Sequence, residues 1–219
     1  MISHLRKVNI PWSKESKNIE MRKVHPTGIG FVCPSETAEG QTVGLTLNLS
    51  FIGTVSLGVE SSLICQFLDI TDEKTGWDLW LNECWLGRIQ DLEQVRSVKK
   101  LFPEISIVIF DDKVEIRSEP GRFIRPMMTR KCLKKHNLYE KTWDDLVAEQ
   151  FIVWVDGHEL EATSSVGWDI SKPRKQDELF EIHPSFIFGF TGAHMPNNDL
   201  NSSPRLCYHF AQAKQGIAM

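Results

Sequence analysis

"DLEQVRSVKKLFPEISIVIFDDKVEIRS", residues 91–118, carries two kinds of periodicity in a single stretch. Leu92, Val95, Val98 and Leu101 recur every third residue, which is one face of a helix, and Pro103 stops it. "ISIVIF" and "KVEIRS" then flank Asp111-Asp112 and read as a hairpin. In its second strand Val114 and Ile116 point inward, while Glu115 and Arg117 point outward. A helix followed at once by an antiparallel pair predicts an α+β fold built from small mixed modules.

Upstream, "SFIGTVSLGV" (50–59) and "SSLICQFLDI" (61–70) read as strands by their β-branched and aromatic content. Downstream, "GRFIRP" (121–126) turns the chain, and "KTWDDLVAEQ" (141–150) is a short helix with a capping box between Thr142 and Asp145. "FIVWVDG" (151–157) is a further strand, and "SKPRK" (171–175) is a polar linker. The outer segments have a different texture, rich in glycine and turns. "IGFVC" (29–33) reads as a short strand within the first of them.

A chain of 219 residues, 41% hydrophobic and 25% charged, has an ordinary globular composition and buries a real core. No apolar run approaches the ~20 residues that span a bilayer, and "MISHLRKVNIPWSKESKN" lacks an apolar signal core. The five cysteines are odd in number with no C-x-x-C pair, which argues for free thiols in a reducing, intracellular compartment and against structural zinc. Net charge is −4, whereas a protein gripping nucleic acid unaided carries a basic surplus. The local clusters Arg122, Arg125, Arg130, Lys131, Lys134, Lys135 and Lys172, Arg174, Lys175 read as solvated loops.

Other candidate motifs are weak. Gly28-Ile29-Gly30 lacks the third glycine of a dinucleotide fingerprint. Cys33 with His25 is a nucleophile and base without an orienting group, so Cys33 reads as a buried structural thiol. The seven histidines show no metal-ligand spacing. Trp77, Trp80 and Trp85 have the chemistry to stack bases, but in a folded α+β module such residues are more often core. More unusual are the paired openings "VHPTGIGFVCPSETAEG" and "IHPSFIFGF", which place polar groups on closely approachable backbone at opposite ends of the chain and suit convergence on one surface. Phe31, Leu45, Leu47, Phe186, Ile187, Phe188 and Phe190 lie in these ends with little nearby sequence to cover them, so partner chains are expected to do so.

"RKVHPTGIGFVCPSETAEGQTVGLTLNLS" resembles the fork region of the second-largest (beta-type) subunit of multisubunit DNA-directed RNA polymerases. "FEIHPSFIFGFTGAHMPNNDLNSSPRLCYHFAQAKQG" is similar to that subunit's active-site-facing segment, the start of the hybrid-binding region. Between them, "WLNECWLGRIQDLEQVRSVKKLF", "KVEIRSEPGRFIRPMM" and "KTWDDLVAEQFIVWVD" resemble the modules called external 1 and external 2, of the archaeal, eukaryotic and viral type. The resemblance runs colinearly from about 21 to 219 and implies an N-terminal segment (1–20), a fork-like region (21–50), an external 1-like module (51–126), an external 2-like module (127–177) and the start of the hybrid-binding region (178–219). Ala38, Gly28-Ile29, Asn197 and Leu200 depart from the family wording, which suggests a viral or mobile-element polymerase. The protrusion, lobe, wall and clamp portions have no counterpart here, which implies one piece of a split subunit, or a fragment.

What the resemblance implies is a part in the active-centre cleft, positioning the incoming nucleoside triphosphate during templated RNA synthesis. Arg205 matches an arginine on the triphosphate, Tyr208 a nearby tyrosine, and Lys214 and Gln215 residues near the RNA end. Arg22 and Glu39 match a fork arginine and glutamate expected to form a charge-assisted pair. The implied partners are the largest polymerase subunit, the rest of the second-largest subunit, DNA template and RNA, and no membrane. Mg²⁺ would sit at the assembled active site, held mainly by the largest subunit, with neither metal nor RNA synthesis expected of this chain alone. The alternative is a non-catalytic scaffolding or regulatory paralogue of that subunit.

Overall fold

The computed structural model describes residues 2–71, 75–134, 140–163 and 165–216, which adopt a mixed α+β fold. In chain order the helices and strands are α1 (Ile2–Leu5), β1 (Lys7–Asn9), β2 (Val32–Thr37), β3 (Thr46–Leu49), β4 (Thr54–Val55) and α2 (Ser61–Cys65). They continue with β5 (Trp77–Leu81), β6 (Cys84–Ile89), α3 (Leu92–Leu101), β7 (Ser106–Ile109), β8 (Lys113–Arg117) and β9 (Phe123–Thr129). The last are α4 (Trp143–Ala148), β10 (Ile152–Asp156), α5 (Gly157–Ala162), β11 (Val166–Gly167), β12 (Leu179–Phe180), α6 (Phe190–Ala193) and α7 (Ser203–Gly216). Residues up to Thr54 together with those from His183 form one compact unit, and Val55–Ile182 form another.

In the first unit, the sheet order is β1-β3-β2, all antiparallel, with the β2–β3 register shifting between Val32 and Thr37. Residues 7–9 therefore belong to the same sheet as the glycine-rich stretch. The 178–219 end, read from sequence as loops, contains the 14-residue α7. Leu206 and Phe210 stand four apart on its inner face and pack with Cys33, Phe188 and Met195. The two ends of the chain cover each other: Phe31 and Leu45 are buried, and Phe51 stacks on Phe186 and Phe190 at centroid distances of 5.2 and 6.2 Å. The chain thus buries Phe31 and Leu45 by itself, while Leu47, Phe186, Ile187, Phe188 and Phe190 stay half-buried.

Both "HP" openings are structural. His25 and His183 each sit at the N-cap of a 3-10 turn, with proline first in the turn, and accept the backbone N–H of Thr27 and Ser185. The same imidazole nitrogens bond the hydroxyls of Thr27 and Ser185 at 2.7 and 2.6 Å. Proline lacks the N–H that would otherwise compete, so the ring nitrogen serves the next free donor.

In the second unit, one sheet runs β6-β5-β8-β7, with β5 and β8 parallel, and α3 bridges β6 to β7. Val95 and Val98 of α3 pack on Leu79, Leu81, Ile89, Val114 and Ile116, as the 91–118 pattern predicts. The other sheet contains β10-β9-β12-β11 around Met127, Val155 and Leu179. The capping box on α4 forms with both of its hydrogen bonds.

Four local expectations fail. "SSLICQFLDI" is not a strand, because Ile64 and Leu68, four apart, bury one face of the short helix α2 and the turn after it in the core. "SFIGTVSLGV" keeps only Thr54–Val55 as strand, since Gly58 takes φ +83° where its Cβ would press on Pro120. "GRFIRP" opens the seven-residue β9 instead of turning; Pro126 sits within it opposite Trp154. Trp77 is half-buried on the core, but Trp80 and Trp85 are exposed, because the period-2 alternation of β5 puts Leu79 and Leu81 inside instead.

The basic stretch is not simply a set of solvated loops. Arg125 forms an ion pair with Glu181 at 2.7 Å, both side chains under 5% exposed, and Arg122 reaches Asp156 at 2.8 Å. Arg130 donates to the carbonyls of Lys175 and Asp177. Lys135 lies outside the described residues. Burial raises the cost of the Asp156 charge, yet the Glu159 N–H, the Arg122 guanidinium and the Ser106 hydroxyl outweigh it and lower its pKa.

Asn82 and Glu83 turn β5 into β6 with φ of 49° and 68°. Left-handed backbone disfavours glutamate, and Asn-Gly is the preferred pair for such a hairpin. Glu83→Gly should stabilise the chain by about 1 kcal/mol in urea unfolding. Glu181→Gln, which removes the acid that pairs with the buried Arg125, should destabilise it by about 3–5 kcal/mol.

Candidate functional site

Two adjoining concavities of the first unit lie between the Thr37–Gly40 segment and α7. The larger groove, about 450 Å³, is lined by Glu39, Gly40, Val43, Pro204, Cys207 and Tyr208 among others. A second, of about 230 Å³, shares Thr37, Ala38 and Glu39 and adds His4, Lys7, Asn48, Lys214 and Gln215. Glu39, Tyr208, Lys214 and Gln215 are thereby brought together from opposite ends of the chain.

Helix α7 explains half of this arrangement. It starts at Ser203-Pro204, where proline suits the first turn, and places Pro204, Tyr208 and Ala211 along one stripe. Cys207 donates its thiol to the carbonyl of Ser35, pinning the helix to β2. Arg205 is exposed on the first turn and lines neither groove.

The fork-like side is braced differently from expectation. Arg22 and Glu39 form no ion pair. The Arg22 guanidinium instead donates to the carbonyls of Gln41 and Val43 at 2.7 and 2.9 Å, and to those of Lys14 and Ser16 at 3.0 and 3.1 Å. A planar cation with five donors saturates four backbone acceptors here, leaving Glu39 exposed at the groove. Gly44, at φ +73°, lies so close to this arginine that a Cβ would stand 2.3 Å from the Arg22 carbonyl oxygen. At Gly44 the missing side chain thus accommodates this chain's own backbone, whereas a Cβ on Gly40 would meet open space.

Beneath the groove is a carboxylate that the sequence reading did not single out. Glu36 is 2% exposed, and its Oε1 accepts from the Ser3 hydroxyl (2.8 Å), the Thr191 hydroxyl (3.1 Å) and the Lys214 ammonium (2.7 Å). Asn48 donates to the Glu36 carbonyl at 2.8 Å. A Cβ on Gly189 would fall 2.4 Å from Glu36 Oε2. The one signal in the sequence is an acid inside a strand, three residues before Glu39, where burial demands a partner. At the rim, Lys7 Nζ lies 2.9 Å from His4 Nδ1, and this cation holds the imidazole below its ordinary pKa.

Cys33 is buried, and burial pushes its thiol up to about 11, which removes it as a nucleophile. His25, its imagined base, is spent on capping. Among the described residues, no group of three or more His, Cys, Asp or Glu side chains is placed to hold a metal ion. Among the described residues, Glu39 is the one carboxylate that lines these two grooves.

Comparison with known proteins finds relatives by sequence. Residues 1–55 match the family model described as RNA polymerase Rpb2, domain 3. The whole chain aligns with a probable DNA-directed RNA polymerase II subunit RPB2 homolog of Invertebrate iridescent virus 6, at 32% identity over 98% of this chain and 20% of that protein. By sequence, this chain is a relative of the second-largest subunit of DNA-directed RNA polymerase. It is likewise 30% identical to the DNA-directed RNA polymerase II subunit RPB2 of Encephalitozoon cuniculi (100% of this chain, 22% of the other). It is 28% identical to the DNA-directed RNA polymerase subunit Rpo2 of Sulfolobus acidocaldarius (100% and 23%). The chain therefore spans about a fifth of the length of these relatives. The family match includes the first 20 residues, as does the sheet through β1.

Two measurements check this site. Cys84, exposed, should react rapidly with a disulfide reagent at pH 8, whereas Cys33 should stay protected until the chain unfolds. Gly189→Ala should cost about 1–3 kcal/mol of stability by forcing a methyl against the Glu36 carboxylate.

Proposed function

We propose that this chain is a working part of the second-largest subunit of a DNA-directed RNA polymerase, contributing to the active-centre cleft and positioning the incoming nucleoside triphosphate. The observation that carries the reading is the convergence of Glu39, Tyr208, Lys214 and Gln215 on two adjoining grooves. A polymerase active centre needs groups from distant segments held rigidly, because orientation and charge stabilisation supply most of the catalysis of phosphoryl transfer.

In this reading the exposed Arg205 guanidinium grips triphosphate oxygens in pairs, which the point charge of a lysine does not do. Tyr208, one turn along α7, lines the groove beside it and gives a flat surface and a hydroxyl. Arg22 keeps the 41–43 turn in place by its carbonyl bonds, so its part is to shape the groove wall. Among the described residues, no group of three or more His, Cys, Asp or Glu side chains offers a donor set for a resident metal. The Mg²⁺ that balances charge in nucleotidyl transfer would be held mainly by the largest subunit, with DNA template and RNA bound by the assembly in a reducing intracellular compartment. An acidic chain suits that division, since its partners carry most of the phosphate contacts.

The test is single-nucleotide extension by the assembled polymerase at varied substrate concentration. Arg205→Ala should lower nucleotide incorporation by on the order of 10²–10³-fold while assembly and template binding survive. Arg205→Lys should recover only part of the loss. Normal rate and saturation in Arg205→Ala would overturn the assignment and favour a scaffolding role.

A further inference from the structure

Lys214 reaches the groove already partnered. Its ammonium lies 2.7 Å from Glu36 Oε1 and 3.4 Å from Asn48 Oδ1, and its side chain is 13% exposed against 1% for Glu36. The carboxylate is itself immobile. Ser3 on α1 and Thr191 on α6 donate to the same oxygen, and Gly189 closes off the space beside the other. An ammonium has three donors; one is committed to Glu36 and one faces Asn48, which leaves the third for the groove. Lys7, at the groove's rim, has the His4 imidazole at 2.9 Å and no carboxylate partner among the described contacts.

We propose that Glu36 is the positioning residue for Lys214. It holds the ammonium at the groove wall and cancels its charge, so Lys214 meets its ligand as an oriented hydrogen-bond donor and not as a free cation. Resting on the reading of the groove as nucleic-acid-facing, this assigns Lys214 a neutral acceptor on the nucleotide (a sugar hydroxyl or a base carbonyl) in preference to a phosphate. A phosphate would have to compete with a carboxylate that cannot move away, and would place two anions against one cation.

The 219-residue chain allows the test in two parts. In the first, reductive methylation of lysines is followed by mass spectrometry. Lys214 should modify at least about ten-fold more slowly than Lys7, the protection of a lysine held in a buried pair. Glu36→Gln should abolish the difference and Glu36→Asp should keep most of it. Equal rates for Lys214 and Lys7 in the unsubstituted chain would overturn the proposal, and this comparison decides even if Glu36→Gln fails to fold. In the second part, a fluorescein-labelled single-stranded RNA is bound at increasing salt. Glu36→Gln should steepen the salt dependence by about 0.7 in log–log slope, one extra phosphate contact, and Glu36→Gln combined with Lys214→Met should remove that increment. If Lys214→Met alone flattens the slope by about 0.7, then Lys214 already binds phosphate and the proposal fails. Protection of Lys214 without any RNA binding would uphold the latch and sink the nucleic-acid reading on which its ligand depends.

Discussion

A buried carboxylate without compensation is among the most expensive things a protein interior can hold. The first unit is organised around relieving that cost at Glu36. Its Oε1 collects a hydroxyl from α1, a hydroxyl from α6 and the ammonium near the end of α7. Helix α1 is far in sequence from α6 and α7, and the small apolar cluster of Cys33, Phe188, Met195, Leu206 and Phe210 takes residues from α7 but none from α1 or α6. The carboxylate makes their arrangement specific, because a slipped α7 would leave the charge of Glu36 unpaired.

That constraint shapes the groove above it. Helix α7 is fixed at one end by Lys214 on Glu36 and near its middle by Cys207 on the Ser35 carbonyl. With the helix set, Tyr208 and Gln215 take up their positions along the groove. On the other wall, Arg22 ties the 41–43 turn to the 14–16 segment through carbonyls. One wall is therefore held by charge pairing and the other by a cation on backbone acceptors. Neither device uses Glu39, which remains free at the rim where both grooves meet.

The second unit handles its buried charges in the same currency but for packing alone. Arg125–Glu181, Arg122–Asp156 and the short Lys99–Glu159 contact each pair a cation with an acid across strands or helices. Burial raises the pKa of Glu159 even though Lys99 opposes it, which marks the pair as deeply enclosed. The exposed Trp80 and Trp85, by contrast, sit opposite each other on the face of the sheet that the α3 core leaves uncovered.

The residues of 91–118 determined their own structure: a three-residue apolar spacing, a proline stop and a period-2 strand are local patterns, and local patterns survive into the fold. The capping box at Thr142 and the burial of Cys33 were legible for the same reason. So was the likeness of the chain to polymerase second-largest subunits, which is written in motif wording. What the sequence could not settle was every pairing between distant residues. Arg22 and Glu39 are suitably charged neighbours in the motif, yet the arginine finds four carbonyls closer to hand. Beyond its place inside a strand, Glu36 carries no local mark of its importance, since its partners stand 33, 155 and 178 positions away. The helix at α7 and the mutual covering of the two chain ends were hidden likewise, because burial depends on what arrives from elsewhere. Tertiary structure alone decided which carboxylate is buried, and the geometry of the groove follows from that.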